Sequence, residues 1–227
     1  MHAQIPGGGV DDEENLARKS RERSNLYGFL ACVYRREPTA DLIHRIKDPA
    51  FLERLADAGV ELRGYLERSD HELLAELGQE YTRLFLGPGK HVSPHESVHV
   101  PGGGSLWGEA TSAVKKFIEQ VGVDYQPDYT GIPDHISVEL EFMQRLTDAE
   151  ARAWGRGDEA GATGCLSIER RFIEEHLSRW ITCFCDNVIQ EARHPFYAQL
   201  AAMTSEFIGS ESTAIGEGLD DTNRQSV

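Results

Sequence analysis

Three histidines, His91, His95 and His99, recur every four residues, and Glu96 stands three positions before His99. Farther along, His135 and Glu139 share one helical face, and Glu191 precedes His194 by three. Imidazole and carboxylate groups at these spacings are the donor sets of helical di-iron and zinc sites, so metal-dependent catalysis is one reading of them. Their neighbours weaken it. Pro94 and Pro101 bracket the first set, which keeps Glu96 and His99 off a regular bundle helix, and His194 stands before Pro195 at a helix boundary. No serine or cysteine nucleophile is assigned beside His135, which makes it unconvincing as a catalytic base. Cys32, Cys165, Cys183 and Cys185 form no C-x-x-C pair and are expected as reduced thiols in or near the core, with Cys183 and Cys185 the one pair that merits a redox test. Gly102-Gly103-Gly104 lacks the lysine and the preceding strand of a phosphate-binding loop, so no cofactor is assigned.

The elements that must position these residues read as helices throughout. Leu26, Tyr27, Leu30, Ala31 and Tyr34 recur at spacings of three and four, giving a first long helix that begins near Asp11 and ends near Pro38. Thr39 and Pro49 open two short helices, and Asp70 is read as the cap of a stronger one whose apolar stripe runs to Gly87-Pro88. Residues 87–105 hold three prolines and five glycines without helical periodicity, which predicts a long loop of the kind that is either functional or disordered, and makes it the first candidate site. A helix over about 106–121 follows, then an irregular stretch to Ile132 and a long helix starting at Pro133. A glycine-rich break over 155–164 leads to a helix carrying Ile173, Leu177, Trp180, Phe184 and Val188, and Pro195 opens the last. No strand alternation, repeat or heptad seam is seen. The expectation is an all-α, single-domain helical bundle of about eight or nine helices over residues 11–208, with a flexible start (1–10) and a disordered tail (209–227).

Acidic residues outnumber basic ones 38 to 23, a formal charge of −15, which disfavours nucleic acid and anionic lipid and suits a basic peptide. No stretch approaches the roughly 18 continuous apolar residues of a membrane span, and residues 1–14 lack a basic start followed by an apolar run, so the protein is expected in the cytoplasm without stable membrane insertion.

Two segments resemble the signature of the TorD/DmsD/NarJ family of redox-enzyme maturation chaperones. The first is Glu80-Tyr81-Thr82-Arg83-Leu84-Phe85-Leu86-Gly87-Pro88 followed by Ser93-Pro94-His95-Glu96-Ser97. The second is Pro133-Asp134-His135-Ile136-Ser137-Val138-Glu139-Leu140-Glu141-Phe142-Met143. They occur in the family's order with a helix between them. The likeness extends more weakly to residues 27–38 and 195–208. It implies an all-helical chaperone, not an enzyme, that binds the twin-arginine signal segment of a molybdenum oxidoreductase catalytic subunit, delays its export and assists insertion of the molybdopterin cofactor. In that family the Asp-His pair and the loop after Gly-Pro take part in signal-peptide recognition; here these are Asp134, His135 and residues 87–97. Where some relatives carry an aromatic residue in the proline-rich loop, this chain has His95.

A twin-arginine segment presents two guanidinium groups and then apolar side chains, so its receptor needs carboxylates beside an apolar groove. Asp134, Glu96 and Glu139 are the candidate carboxylates; Tyr81, Leu84, Trp107 and Pro94 are candidate groove walls. Asp134 is placed in a helical first turn, where it can bind or cap, and His135 beside it is expected to stay neutral. Gly87 and Pro88 are read as stopping the helix so that the loop, with Ser97, turns toward the Asp-His end. Two alternatives remain: a metal-dependent helical enzyme with His and Glu ligands, or a stable assembly subunit holding a partner's helix. The client's identity and the oligomeric state are open.

Overall fold

The computed structural model of the protein describes residues 8–57, 67–122 and 131–225. Ten α-helices lie within them, nine having seven residues or more: α1 Gly8–Arg35, α2 Ala40–Ile46, α3 Pro49–Asp57, α4 Asp70–Tyr81, α5 Glu96–His99, α6 Glu109–Val121, α7 Ile136–Trp154, α8 Glu159–Glu175, α9 Ile181–Glu191 and α10 Pro195–Gln225. Among the described residues there is no strand, only one isolated bridge between His95 and His135. The irregular stretch predicted after α6 lies largely outside the described residues.

α1 and α7 run against one another at the centre, α8 packs on α7, and α10 packs on α8 and α9. One core results. Tyr34, Tyr81, Phe85, Phe184 and Tyr197 interlock within it at ring separations of 5.0 to 6.4 Å, and such pairs add to the burial of their area.

Local signals fix most helix starts. The Thr39 side chain accepts from the Leu42 N–H, and Pro49 sits at the first position of α3. α4 departs by one residue from its expected cap. Ser69, not Asp70, is the cap, and it forms a reciprocal box with Glu72. The apolar stripe continues past Tyr81 as one π-helical turn, Thr82–Leu86. The break predicted over 155–164 shrinks to four residues, because Asp158 caps α8 on the Gly161 N–H and Gly161 and Gly164 lie inside the helix. The helix predicted through Ile173 and Val188 is interrupted: His176 leaves helical geometry, and a 3-10 turn, Leu177–Arg179, precedes α9.

α10 continues past Ile208, where the sequence ends the domain, so helix replaces the expected disordered tail over 209–225. Glu211 and Ile215 supply the reason, since both are buried. Glu211 accepts from Arg23 Nε at 2.9 Å, and the same guanidinium pairs with Glu150 at 2.7 Å and with Glu169, tying α1, α7, α8 and α10 together. One cation cannot neutralise three carboxylates. The excess falls on Glu169, whose carboxyl burial pushes up to about 8 despite Arg23.

No helix among the described residues is long and apolar enough to cross a membrane. All four cysteines are free; Cys185 is buried, whereas Cys32 and Cys183 are exposed instead of lying in or near the core.

Candidate functional site

The two signature segments meet in space. Val92 N–H donates to the Leu84 carbonyl at 2.7 Å, turning the chain back after the π-turn, and the loop then pairs with the start of α7. Glu96 N–H donates to Asp134 O at 3.0 Å and Ile136 N–H to Pro94 O at 2.9 Å. Between these bonds the Asp134 side chain accepts from the Ser97 N–H at 2.8 Å. Residues 94–97 are therefore fastened to residues 134–136 from both sides.

Glu96 and Ser97 form the first turn of α5, whose cap position is His95. The loop folds so tightly beyond it that a Cβ on Gly103 would lie 2.2 Å from the Ser97 carbonyl, so only glycine fits there. Gly104 N–H donates to that carbonyl at 3.1 Å.

A cluster of buried polar groups lies beneath. Glu96, Asp134 and Glu139 are each fully buried. Glu96 Oε2 is 3.1 Å from His176 Nδ1, and Glu139 Oε2 accepts from the Trp180 indole at 3.2 Å. One oxygen of each carboxyl, Glu96 Oε1, Asp134 Oδ1 and Glu139 Oε1, has no hydrogen-bond partner among the described residues. Burial, reinforced by the neighbouring Glu96, holds Glu139 well above the usual carboxylate range.

α7 begins at Ile136, three residues later than the proline suggested. His135 is its cap, accepting from the Ser137 N–H at 3.1 Å, and Asp134 sits before the helix instead of in its first turn. Burial, with His95 and Arg35 nearby, brings His135 down to about 3, so the ring stays neutral. His95 packs edge-on against it at 5.0 Å and is also held below the usual histidine range by burial.

The remaining signature residues sit lower in the core. Tyr81 donates its hydroxyl to the Tyr34 carbonyl at 2.9 Å, and Leu84 is buried. Glu80, which opens the first signature segment, is part of the structural frame. It accepts from the Arg193 and His194 backbone N–H groups at 2.6 and 3.2 Å, just ahead of α10, and is clamped by Arg83 at 2.7 and 2.8 Å. Gly87 is extended, at φ −65° and ψ 157°, and Pro88 is exposed.

The structure thus brings Pro94, His95, Glu96, Ser97, Asp134, His135 and Glu139 together, but it turns their polar atoms inward. None of the three candidate carboxylates faces solvent in this conformation. Tyr81 and Leu84 likewise lie beneath the loop, not along a groove. Trp107 behaves oppositely: it is 70% exposed and holds a left-handed backbone, φ 65°. Leu86, Leu106 and Ile189 are also exposed. A cleft of about 450 Å³ lies in this region, lined by Val92, Val98, His99, Leu106, Asn187 and Glu191 among others. His99 forms its inner wall, with Nε2 2.7 Å from the Ser93 carbonyl and its ring stacked on Trp180. Lys90 and Glu191 pair across the mouth.

Metal chemistry finds no frame here. Among the described residues no three His, Cys, Asp or Glu side chains are grouped to hold an ion. His91, His95 and His99 diverge toward Gly89 O, Ser93 Oγ and Ser93 O.

Comparison with known proteins agrees with this architecture. The family profile described as nitrate reductase delta subunit matches residues 48–186. The chain is similar to chaperone protein TorD of Vibrio cholerae, 23% identical over 224 residues that cover 92% of this chain and 99% of that one. It is also similar to chaperone protein TorD of Shewanella piezotolerans, 22% identical with 85% and 91% covered. Its fold matches a crystal structure described as that of a redox enzyme maturation protein of Archaeoglobus fulgidus, with a TM-score of 0.50, 24% identity and 82% and 93% of the two chains covered.

Proposed function

The chain belongs to the nitrate reductase delta subunit family and is a maturation chaperone of the redox-enzyme type, not an enzyme, and from that premise we propose which client it takes and where it takes it. The client is the catalytic subunit of a molybdopterin oxidoreductase, held in the cytoplasm by its basic, twin-arginine signal segment while the cofactor is inserted. The observation that carries the choice of surface is Trp107. A non-glycine residue at positive φ costs about 1–3 kcal/mol, and leaving an indole in water forgoes the gain of burying it. A bound apolar segment recovers that gain.

The signal segment's apolar run lies along Leu106, in the cleft beside α9, and over the exposed Trp107 that follows it. Its arginines meet carboxylates that do reach solvent: Glu109, two residues beyond Trp107, and Glu191. Lys90 is 82% exposed in its pair with Glu191, and such pairs are worth little, so an arriving guanidinium displaces it at small cost. Asp134, His135, Glu96, Ser97 and Glu139 act from below, holding the loop that carries this rim.

Fluorescence anisotropy with a labelled peptide of paired arginines and a following apolar run tests the reading. Saturable binding, weakened by salt and reduced about 30-fold or more in Trp107→Ala, as for a buried aromatic anchor worth about 2 kcal/mol, is expected. Equal affinity in the variant would remove this surface from the site.

A further inference from the structure

A second cleft opens on the other side of the buried carboxyl cluster. It has a volume of about 410 Å³ between α6 and the end of α8, and its lining includes Lys116, Phe117, Arg171, Glu175, His176 and Arg179. In a chain of formal charge −15, three cations and one carboxylate converge here. The one carboxylate does little to neutralise them. Arg171 pairs with Glu175 at 3.3 Å with both side chains at least half exposed, and among the described residues Arg179 reaches only the Glu175 backbone carbonyl, at 3.3 Å. Among the described residues Lys116 makes no ion pair. Arg171 is also laid over the Phe117 ring, 5.0 Å from its centroid, which fixes its direction.

His176 forms the floor and is 3% exposed. Phe117 and Phe172 hold its ring at 5.6 and 5.0 Å, and Nδ1 is engaged by Glu96. The two nitrogens lie on opposite edges of an imidazole, so with Nδ1 committed inward the ring offers Nε2 to the cleft. Glu96 opens α5, in the loop fastened by Asp134.

We propose that this cleft binds a small phosphate-bearing anion, and that occupancy is passed through His176 and Glu96 to the loop of residues 93–105. Several converging donors suit a multiply charged tetrahedral group with three or more acceptor oxygens better than a lone carboxylate, and the volume admits a phosphoryl group with a small organic remainder. The one imidazole then bridges the anion at Nε2 and Glu96 at Nδ1, so occupancy fixes the ring's orientation and restrains Glu96 together with the loop it opens. The bound anion therefore stiffens the loop through its buried side.

Calorimetric titration of the full chain with inorganic pyrophosphate, at ionic strength held constant with chloride, tests the site without any client present, so its outcome is separate from that of the peptide experiment. One saturable site per chain is expected, weakened at least tenfold when Lys116 and Arg179, both exposed, are replaced together by alanine. Absence of saturable heat, or equal heat in that double variant, overturns the site. Hydrogen exchange of residues 93–105 tests the link: protection gained with pyrophosphate in the wild type and lost in His176→Gln supports it. Protection unchanged by saturating pyrophosphate overturns it.

Discussion

Replacing Asp134 with alanine removes the oxygen that accepts from the Ser97 N–H at 2.8 Å. The amide is buried, so no water takes the vacated place, and a buried donor left unpaired costs about 1–3 kcal/mol. The flanking backbone bonds, Glu96 N to Asp134 O and Ile136 N to Pro94 O, do not involve that side chain, so the loop keeps its path and the loss stays local. Opening of the loop then becomes easier by the same amount. At a factor of ten per about 1.4 kcal/mol, exchange of the Ser97 amide accelerates roughly 5- to 150-fold. The assay is amide hydrogen exchange at neutral pH, with core amides of α7 near Leu140 and Met143 as the internal reference. Asp134→Asn, which retains an acceptor oxygen, recovers part of the protection. Wild-type exchange at Ser97 in the alanine variant would refute the reasoning; equal acceleration of the α7 core amides would do so too, since the effect would then be global.

Glu169, raised to about 8 by burial, contributes stability that is present below its unfolded value of 4.5 and lost as pH rises toward 8. Glu169→Gln should therefore abolish up to about 2.7 kcal/mol of the decline in urea-unfolding free energy between pH 5.5 and 7.5; a loss of about 3 kcal/mol or more at pH 7.5 would instead mark a fully ionised pair with Arg23. His135, brought down to about 3, is depressed, so its contribution is present above about 6.5 and is lost as pH falls through that range toward 3. Its ring resonances should still report neutral imidazole at pH 5, and a midpoint near 6.5 would contradict the buried cap. Tyr81→Phe loses the hydroxyl bond to the Tyr34 carbonyl and should cost about 1 kcal/mol in urea unfolding, with no effect expected if that bond contributes nothing.

What could be read from the sequence was what short-range chemistry decides. Thr39, Pro49 and Gly122 end or start helices through contacts within a few residues, and the apolar stripes of α1, α4 and α7 name the faces that meet in the core. The interruption at His176 was hidden because Ile173, Leu177, Trp180 and Phe184 keep helical spacing across the 3-10 turn. Glycines at 161 and 164 looked like a break, yet packing of α8 against α7 and α10 outweighs their propensity cost of about 1 kcal/mol each. The sequence named carboxylates that the fold gathers, but it read their polarity in reverse. The sequence offered all three carboxylates to a ligand, whereas Glu96, Asp134 and Glu139 are buried, with Ser97 as partner to Asp134, His176 to Glu96 and Trp180 to Glu139. Those pairings lie 37 to 80 residues apart and leave no local pattern. Trp107 was identifiable in the sequence, and its left-handed backbone was not.

The most direct test of the chaperone account is recovery of the protein from a lysate of its own cells grown under molybdate-supplied respiratory conditions, followed by mass spectrometry of its companions. The account predicts an unexported molybdoenzyme catalytic subunit that still carries its signal segment, released as salt is raised. A stoichiometric, salt-resistant complex with mature subunits alone would contradict it and identify a permanent assembly subunit instead.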